Sequence, residues 1–323
     1  MNLNKNKLKK IKGDASYRHF FRKKNDNENT IIVHAKKEKE KNLLIYDCIN
    51  NLLIKNNILA PRLYSEKYNK GYIEIEDFGD ETIFSLLKKK KINKIKIFKD
   101  IILLLIDIQK IKKKKIKTFK KKIYKIPIYT NKSLFKEAEL FCDWYVSKTI
   151  PKVEAKFINT KMKKLIKILL SKIKLGNNIF VHRDFHVSNL MKHKERIGVI
   201  DTQDALIGNR AYDLASLIDD VRFNTEKNFK NQIFEYYIKK NKEEFNRAAF
   251  VNDFKILSVL RNLKIIGIFT RLAIRDKKPK YLKLIPEAWK LIEIRISSEP
   301  LFKDLKYLLD KNFSKKIRSK NAN

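Results

Sequence analysis

Glycine is scarce in this chain: seven residues in 323, alongside six prolines and two cysteines. The scarcity gives each glycine weight, because a position that keeps one is a position where a side chain is costly. Cys48 and Cys142 are the whole cysteine complement. They offer neither a metal-ligand spacing nor a disulfide framework, and they fit a reducing cytoplasm. Acidic residues are few as well, 36 against 75 Lys and Arg, for a formal charge of +39. Long hydrophobic runs are missing. The longest uncharged apolar stretch is 101–106, far short of the ~20 residues that a bilayer span requires. The first twelve residues are polar and basic without an apolar centre, so no signal peptide is expected and a cytoplasmic protein is. No internal repeat of fixed period is visible.

The basic excess invites a nucleic-acid reading, with the lysine runs 88–91, 112–115 and 120–122 as one stripe. Lys, Asn and Ile are elevated along the whole length, however, as when a base-composition bias fills permissive positions. The runs therefore read as solvated faces, and no specific nucleic-acid partner is expected. A positive field still steers anionic ligands such as ATP.

Short runs of β-branched and aromatic residues predict strands at 16–22, 30–33 and 72–75, with a helix at 39–56 between the second and third. This order is that of a small nucleotide-binding lobe. Glu76-Asp-Phe-Gly79 closes it as a hinge. Beyond Gly79 the apolar stripes turn helical, at 83–90, 95–109, 134–147 and 161–174, with 110–130 as a loop. Further helices are expected at 212–221, 228–239, 243–263, 264–274 and 281–296, and a disordered last dozen residues. Gly13 opens a turn over the nucleotide phosphates with Ser16, and Gly267 marks close packing inside a helix. With 323 residues, two lobes are expected: 1–76 for the nucleotide, and 77–323 for the catalytic and metal loops and the acceptor site.

The most informative stretch is Phe180-Val-His-Arg-Asp-Phe-His-Val-Ser-Asn-Leu-Met191, followed by Ile200-Asp-Thr-Gln-Asp204. His182-Arg183-Asp184 with Asn189 reproduces the H-R-D-x-x-x-x-N spacing, in which the Asp accepts a substrate hydroxyl proton and the Asn holds a metal. The strand 179–181 ends just before Asp184, and the turn 187–191 brings Asn189 back to the same side. A second strand, 197–200, with an antiparallel partner delivers Asp201 beside Asn189, where Mg²⁺ prefers carboxylate, amide and phosphate oxygens. His182 reads as structural and His186 as solvent-facing.

Together with Gly13–Arg22, Glu139–Tyr145, Asp201–Leu217 and Arg261–Leu272, this stretch resembles the aminoglycoside/choline kinase-like phosphotransferase family, over about residues 10–300. Within that family it is most similar to the bacterial anomeric kinases of N-acetylmuramate and N-acetylglucosamine. The resemblance implies an α+β, bilobal protein-kinase-like fold with a small β-rich N-lobe and a mainly helical C-lobe. It implies transfer of the ATP γ-phosphate to the C1 hydroxyl of the amino sugar, feeding nucleotide-sugar synthesis in peptidoglycan recycling. Asp184 is then the base, and Asn189 and Asp201 the ligands of Mg²⁺, with Mn²⁺ as a substitute. Asp213 becomes a buried support of the catalytic loop, and Asp204 stands behind the metal site or touches substrate.

For the sugar itself, Glu139, Asp143 and Trp144 are the expected contacts, from a helix facing the cleft, with carboxylates for hydroxyls and an apolar ring for the sugar face. Arg261, Lys264 and Arg271 share a helical face and read first as structural ion pairs. The ATP site is expected to use Gly13, Ser16, Arg18, Lys36, Glu76 and Asp77. Lys36 is the weak point, because His34-Ala35 intervenes after the strand that normally carries the ATP-pairing lysine. Arg18 is the alternative phosphate contact. A monomer is expected. Two other readings stand beside this one: a kinase of another small acceptor such as choline, an aminoglycoside or homoserine, and a non-catalytic RNA-binding or scaffold protein using the lysine face.

Overall fold

A computed structural model describes residues 8–11, 18–24, 28–35, 40–241 and 245–319. The chain forms two compact units, Met1–Pro127 with Ile179–Ile207, and Ile128–Asn178 with Gly208–Asn323. The expected lobes divide the chain at 76–77. Packing groups it differently, with the segment after the hinge and the catalytic segment joining the amino-terminal sheet.

In the first unit β1 (Leu8–Ile11), β2 (His19–Lys23), β3 (Thr30–His34), β4 (Leu63–Lys67) and β5 (Tyr72–Glu76) make an antiparallel sheet in the order β1-β2-β3-β5-β4. The two strands β1 and β4 escape sequence reading for one physical reason. Both lie on sheet edges and carry lysine in place of apolar alternation, which is how edges avoid pairing with another chain. The central β3 is buried on both faces and reads as a β-branched run. Ile31 and Val33 pair with Ile75 and Ile73, and with Leu43 and Tyr46 of α1 (Glu40–Lys55) they form the lobe's core. On the other face Glu74 accepts from Thr30 Oγ1 at 2.5 Å, Lys23 Nζ at 3.0 Å and Ser65 Oγ at 3.4 Å, a polar ladder across four strands.

After Gly79, whose φ of +79° suits a glycine, come α2 (Ile83–Lys88), capped by Thr82 Oγ1, and α3 (Lys94–Gln109), capped by Asn93. The expected loop 110–130 contains a small hairpin, β6 (Lys115–Lys117) with β7 (Ile123–Lys125). The catalytic segment supplies β8 (Ile179–Val181), the hairpin β9 (Leu190–His193) with β10 (Arg196–Val199), and β11 (Leu206–Gly208), which pairs with β8. Backbone bonds from Val199 N to Leu59 O (2.8 Å) and Lys192 N to Glu81 O (2.9 Å) fix the hairpin to the sheet side of the unit.

The second unit is helical: α4 (Asn131–Ala138), a wide π turn over Phe141–Val146, α5 (Ser147–Thr149), α6 (Lys152–Ser171), α7 (Ala211–Ile218), α8 (Lys227–Lys240), α9 (Arg247–Ile274), α10 (Ile285–Ile296), α11 (Lys303–Asn312) and α12 (Lys315–Ser319). The α12 turn lies within the tail expected to be disordered. The expected pair of helices at 243–263 and 264–274 is the single α9, because no proline interrupts it and Gly267 stays helical within it. A Cβ on Gly267 would sit 2.3 Å from the carbonyl carbon of Leu140. The backbone at the mouth of the π turn therefore rests directly on α9, the close packing that the glycine signalled.

Within this unit Asp219 is fully buried. Arg295 grips it twice at 2.9 Å, Ser258 Oγ donates at 2.5 Å, and Lys230 Nζ lies 3.4 Å away. Burial alone would push the carboxyl up, but the two cations and the hydrogen bonds outweigh it and hold the group below the ordinary carboxylate range. Arg261 and Lys264 have partners here too. Arg261 donates to the Asp219 carbonyl at 3.4 Å, and Lys264 pairs with Glu137 at 2.8 Å. Among the described residues no helix is long and apolar enough to cross a membrane.

Candidate active site

The residues expected to serve catalysis and metal binding, Asp184, Asn189 and Asp201, all lie within the first unit. β8 is buried throughout, and the loop after it is locked from below by Phe185 and Val187, both almost fully buried. His182 places Nε2 3.0 Å from the Ile200 carbonyl, tying the catalytic loop to the end of β10. Arg183 takes a φ of +77°, a left-handed kink rarely adopted by a long side chain. The kink turns the chain at Asp184, whose carbonyl accepts from Asn189 Nδ2 at 3.0 Å and from His186 N at 3.1 Å. His186 itself is buried, not solvent-facing, because the tight turn draws it in with its neighbours.

The bond from Asn189 Nδ2 fixes the amide plane and turns Oδ1 to the opposite side. Ile200 N donates to the Asn189 carbonyl at 3.1 Å, so Asp201 begins beside Asn189. Asp201 is also left-handed, at φ 62° and ψ 41°, a conformation that aspartate tolerates better than most residues. Its Oδ1 accepts from Arg18 Nη2 at 2.9 Å and from Gln203 Nε2 at 3.0 Å. Gln203 also donates to Asp204 Oδ2 at 2.9 Å, and Arg183 Nη1 lies 3.6 Å from Asp204 Oδ1. Burial pushes the Asp201 carboxyl up, Arg18 pulls it down, and the nearby Asp184 charge raises it again. The balance is a carboxyl above its ordinary value.

Two mutually repelling carboxylates beside a carboxamide oxygen suit a hard divalent cation. Among the described residues no three His, Cys, Asp or Glu cluster as a metal cage. Asn189 and Asp201 would therefore hold a metal together with water and phosphate oxygens, the mode typical of Mg²⁺.

The residues expected around the nucleotide divide into three sets. Gly13, Ser16 and Lys36 lie outside the described residues. Arg18 is 6% exposed and lies over the rings of Tyr46 (5.3 Å) and Phe20 (5.9 Å). At the hinge both carboxylates are turned to protein partners. Glu76 accepts from Arg62 N at 3.3 Å and lies 3.7 Å from His193 Nε2, while Asp77 takes two bonds from Arg22 and one from Gly79 N.

Sequence reading missed Tyr46 and Asn50, which α1 presents to this centre. Asn50 accepts from Thr202 Oγ1 at 2.5 Å and donates to the Pro61 carbonyl at 3.1 Å, anchoring the helix to the turn after Asp201. The available signal was a polar residue inside an apolar helical stripe, between Ile49 and Leu53.

The remaining expected residues belong to the second unit. Asp213 is fully buried in α7. Glu139 and Asp143 flank the mouth of the π turn and share Lys163 of α6, at 2.7 and 3.5 Å, and Trp144 is half-buried.

A model of the phosphotransferase enzyme family, APH, matches residues 96–250, which include the catalytic loop, Asn189 and Asp201. The chain carries a phosphotransferase-family domain. Over 312 residues this phosphotransferase is 27% identical to an N-acetylmuramate/N-acetylglucosamine kinase of Pseudomonas aeruginosa, spanning 92% of this chain and 86% of the relative. Among solved structures it shares its fold with an ADP-bound aminoglycoside phosphotransferase (TM-score 0.56, 15% identity, 88% of this chain and 92% of the other). An amicoumacin kinase solved with AMP-PNP and Ca²⁺ is similarly close (TM-score 0.58, 13% identity, 93% and 92%). The fold is protein-kinase-like, and the phosphotransferase is a kinase with a hydroxyl acceptor.

Proposed function

We propose that this phosphotransferase uses ATP to phosphorylate the anomeric C1 hydroxyl of N-acetylmuramate, N-acetylglucosamine or both, as a cytoplasmic monomer. The observation that carries the reading is the convergence of Asp184, Asn189 and Asp201 in a chain resembling a kinase of those sugars over nearly its whole length.

Asp184 accepts the proton of the C1 hydroxyl while that oxygen bonds the γ-phosphorus and the bond to the β,γ-bridging oxygen breaks, releasing ADP. An anomeric hydroxyl is more acidic than an ordinary alcohol, so a weakly basic aspartate suffices. Asn189 and Asp201 hold Mg²⁺, or Mn²⁺ in its place. When bound, the metal offsets the negative charge of the β- and γ-phosphates. Gly13, Ser16, Arg18 and Lys36 surround the phosphates, and the hinge at Glu76 and Asp77 borders the base. His182 and Asp213 hold the loop in place. Glu139, Asp143, Trp144 and Asp204 receive the sugar, the carboxylates accepting from its hydroxyls. The product is a sugar 1-phosphate, the form that nucleotidyl transfer consumes in peptidoglycan recycling.

The test is ATP turnover by the purified chain across N-acetylmuramate, N-acetylglucosamine, choline, homoserine and aminoglycosides, with phosphorus NMR of the product. An anomeric phosphate signal is expected from the amino sugars. A C6 phosphate, or turnover only with the other acceptors, overturns the assignment. Steeply salt-dependent retention of nucleic acid without any turnover would favour the RNA-binding reading.

A further inference from the structure

In protein kinases a strand lysine paired to a helix glutamate grips the nucleotide phosphates. The strand in that place here, β3, runs Thr-Ile-Ile-Val-His and contains no lysine. The face of α1 that meets the metal turn offers Tyr46 and Asn50, and Asn50 is committed to Thr202 and Pro61. Among the described residues, Arg18, just ahead of β2, brings a cation to the centre. It crosses 183 positions of sequence to bond Asp201 Oδ1 at 2.9 Å. Aromatic rings of α1 and β2 flank its guanidinium. A positive group held there lies where a nucleotide's phosphates would meet the metal.

We propose that Arg18 is a handover cation: it holds the Asp201 carboxylate before metal arrives and transfers to the nucleotide phosphates when metal and nucleotide load together. This rests on the reading of Asp201 as a metal ligand. The guanidinium bonds an oxygen that a metal would use, so metal alone must displace it, while a phosphate offers it a second anionic partner. Metal and nucleotide are thereby coupled, and by linkage the coupling is reciprocal. Arg18 is a positioning residue for the empty site and a phosphate contact in the loaded one.

Binding measurements on the intact chain test this without reference to turnover. Mn²⁺ is titrated by electron paramagnetic resonance in the absence of nucleotide. Arg18→Ala is expected to bind Mn²⁺ about tenfold more tightly than the parent, the scale of one charge-assisted contact removed from competition. Arg18→Lys, which keeps a point charge but loses the planar fork, falls between them. Thermal unfolding confirms that each variant is folded, and the lysine variant carries the test if the alanine variant is not.

ADP affinity is then measured in EDTA. Arg18→Ala weakens it, whereas Asp201→Asn strengthens it by releasing Arg18. In a double-mutant cycle the gain from Asp201→Asn disappears when Arg18 is absent. A gain that persists without Arg18 reflects simple relief of repulsion and overturns the handover. Unchanged Mn²⁺ affinity in Arg18→Ala, with Asp201→Asn abolishing Mn²⁺ binding, overturns it as well while leaving the metal assignment standing. Unchanged Mn²⁺ affinity in Asp201→Asn removes the metal assignment, and the handover with it.

Discussion

Asp201 and Asp219 are each gripped by an arginine, yet the two sites behave in opposite ways. Asp219 is saturated: Arg295 takes both oxygens, Lys230 and Ser258 complete the shell, and its carboxyl is held below the ordinary range. Asp201 has one arginine on one oxygen, a carboxylate neighbour in Asp184, two-fifths of its side chain open to solvent, and a carboxyl above the ordinary range. A closed charge shell organises a helical core. An open one leaves negative charge uncompensated, which is the condition the proposed metal role of Asp201 requires.

Four substitutions sharpen or break this contrast, beginning with the largest effect. Asp184→Asn removes the proposed base from the open centre and is expected to lower turnover by about 10²–10⁴-fold while ADP binding stays near parental. Steady-state kinetics and nucleotide titration read the two halves, and parental turnover would refute the role of Asp184. Asp219→Asn strands Arg295 and Lys230 without their anion and should cost about 3–5 kcal/mol in urea denaturation. The loss should shrink as pH rises. Burial lowers the Lys230 pKa, and once its anion is gone the folded state sheds that proton before the unfolded state does. By contrast Asp201→Asn should change stability by less than about 1 kcal/mol, since the charge it removes was poorly compensated. A loss as large as that of Asp219→Asn would erase the distinction between the two sites.

The fourth substitution concerns Asp47 of α1, which burial pushes up to about 6 from 3.8. The folded state binds this proton more tightly than the unfolded state, so stability falls as pH rises between about 4 and about 6 and stays lower above that window. Asp47→Asn should therefore stabilise the protein at pH 7 by up to about 3 kcal/mol, with the gain vanishing near pH 4. A variant no more stable than the parent at pH 7 would mean that Asp47 finds its charge compensated.

The kinase-like architecture was legible because its markers are local. Central strands rich in Ile and Val, the amphipathic α1, and three catalytic-loop groups within eighteen positions of one another, from 184 to 201, need no knowledge of distant contacts. What escaped was long-range or deliberately polar. Arg18 meets Asp201 across 183 positions and Asn50 meets Thr202 across 152, and no spacing rule reaches that far. Lysine-bearing edge strands look like loops when read singly. The two helices expected at 243–263 and 264–274 are one, because no proline interrupts α9, and its charged positions Arg261 and Lys264 are buried among partners as the ion-pair reading expects.

The π turn at Phe141–Val146 has a consequence for comparing this chain with its relatives. A π turn spends one more residue per turn than an α-helix and commonly marks a functional position. In evolutionary terms it behaves as a one-residue insertion absorbed without breaking the helix. A relative with an ordinary helix there would need a single-residue gap in alignment, and deleting one residue from 141–146 would return the turn to α geometry while leaving the residues beyond it in phase. Placing that gap one position wrongly would exchange Asp143 for Trp144 in the aligned column.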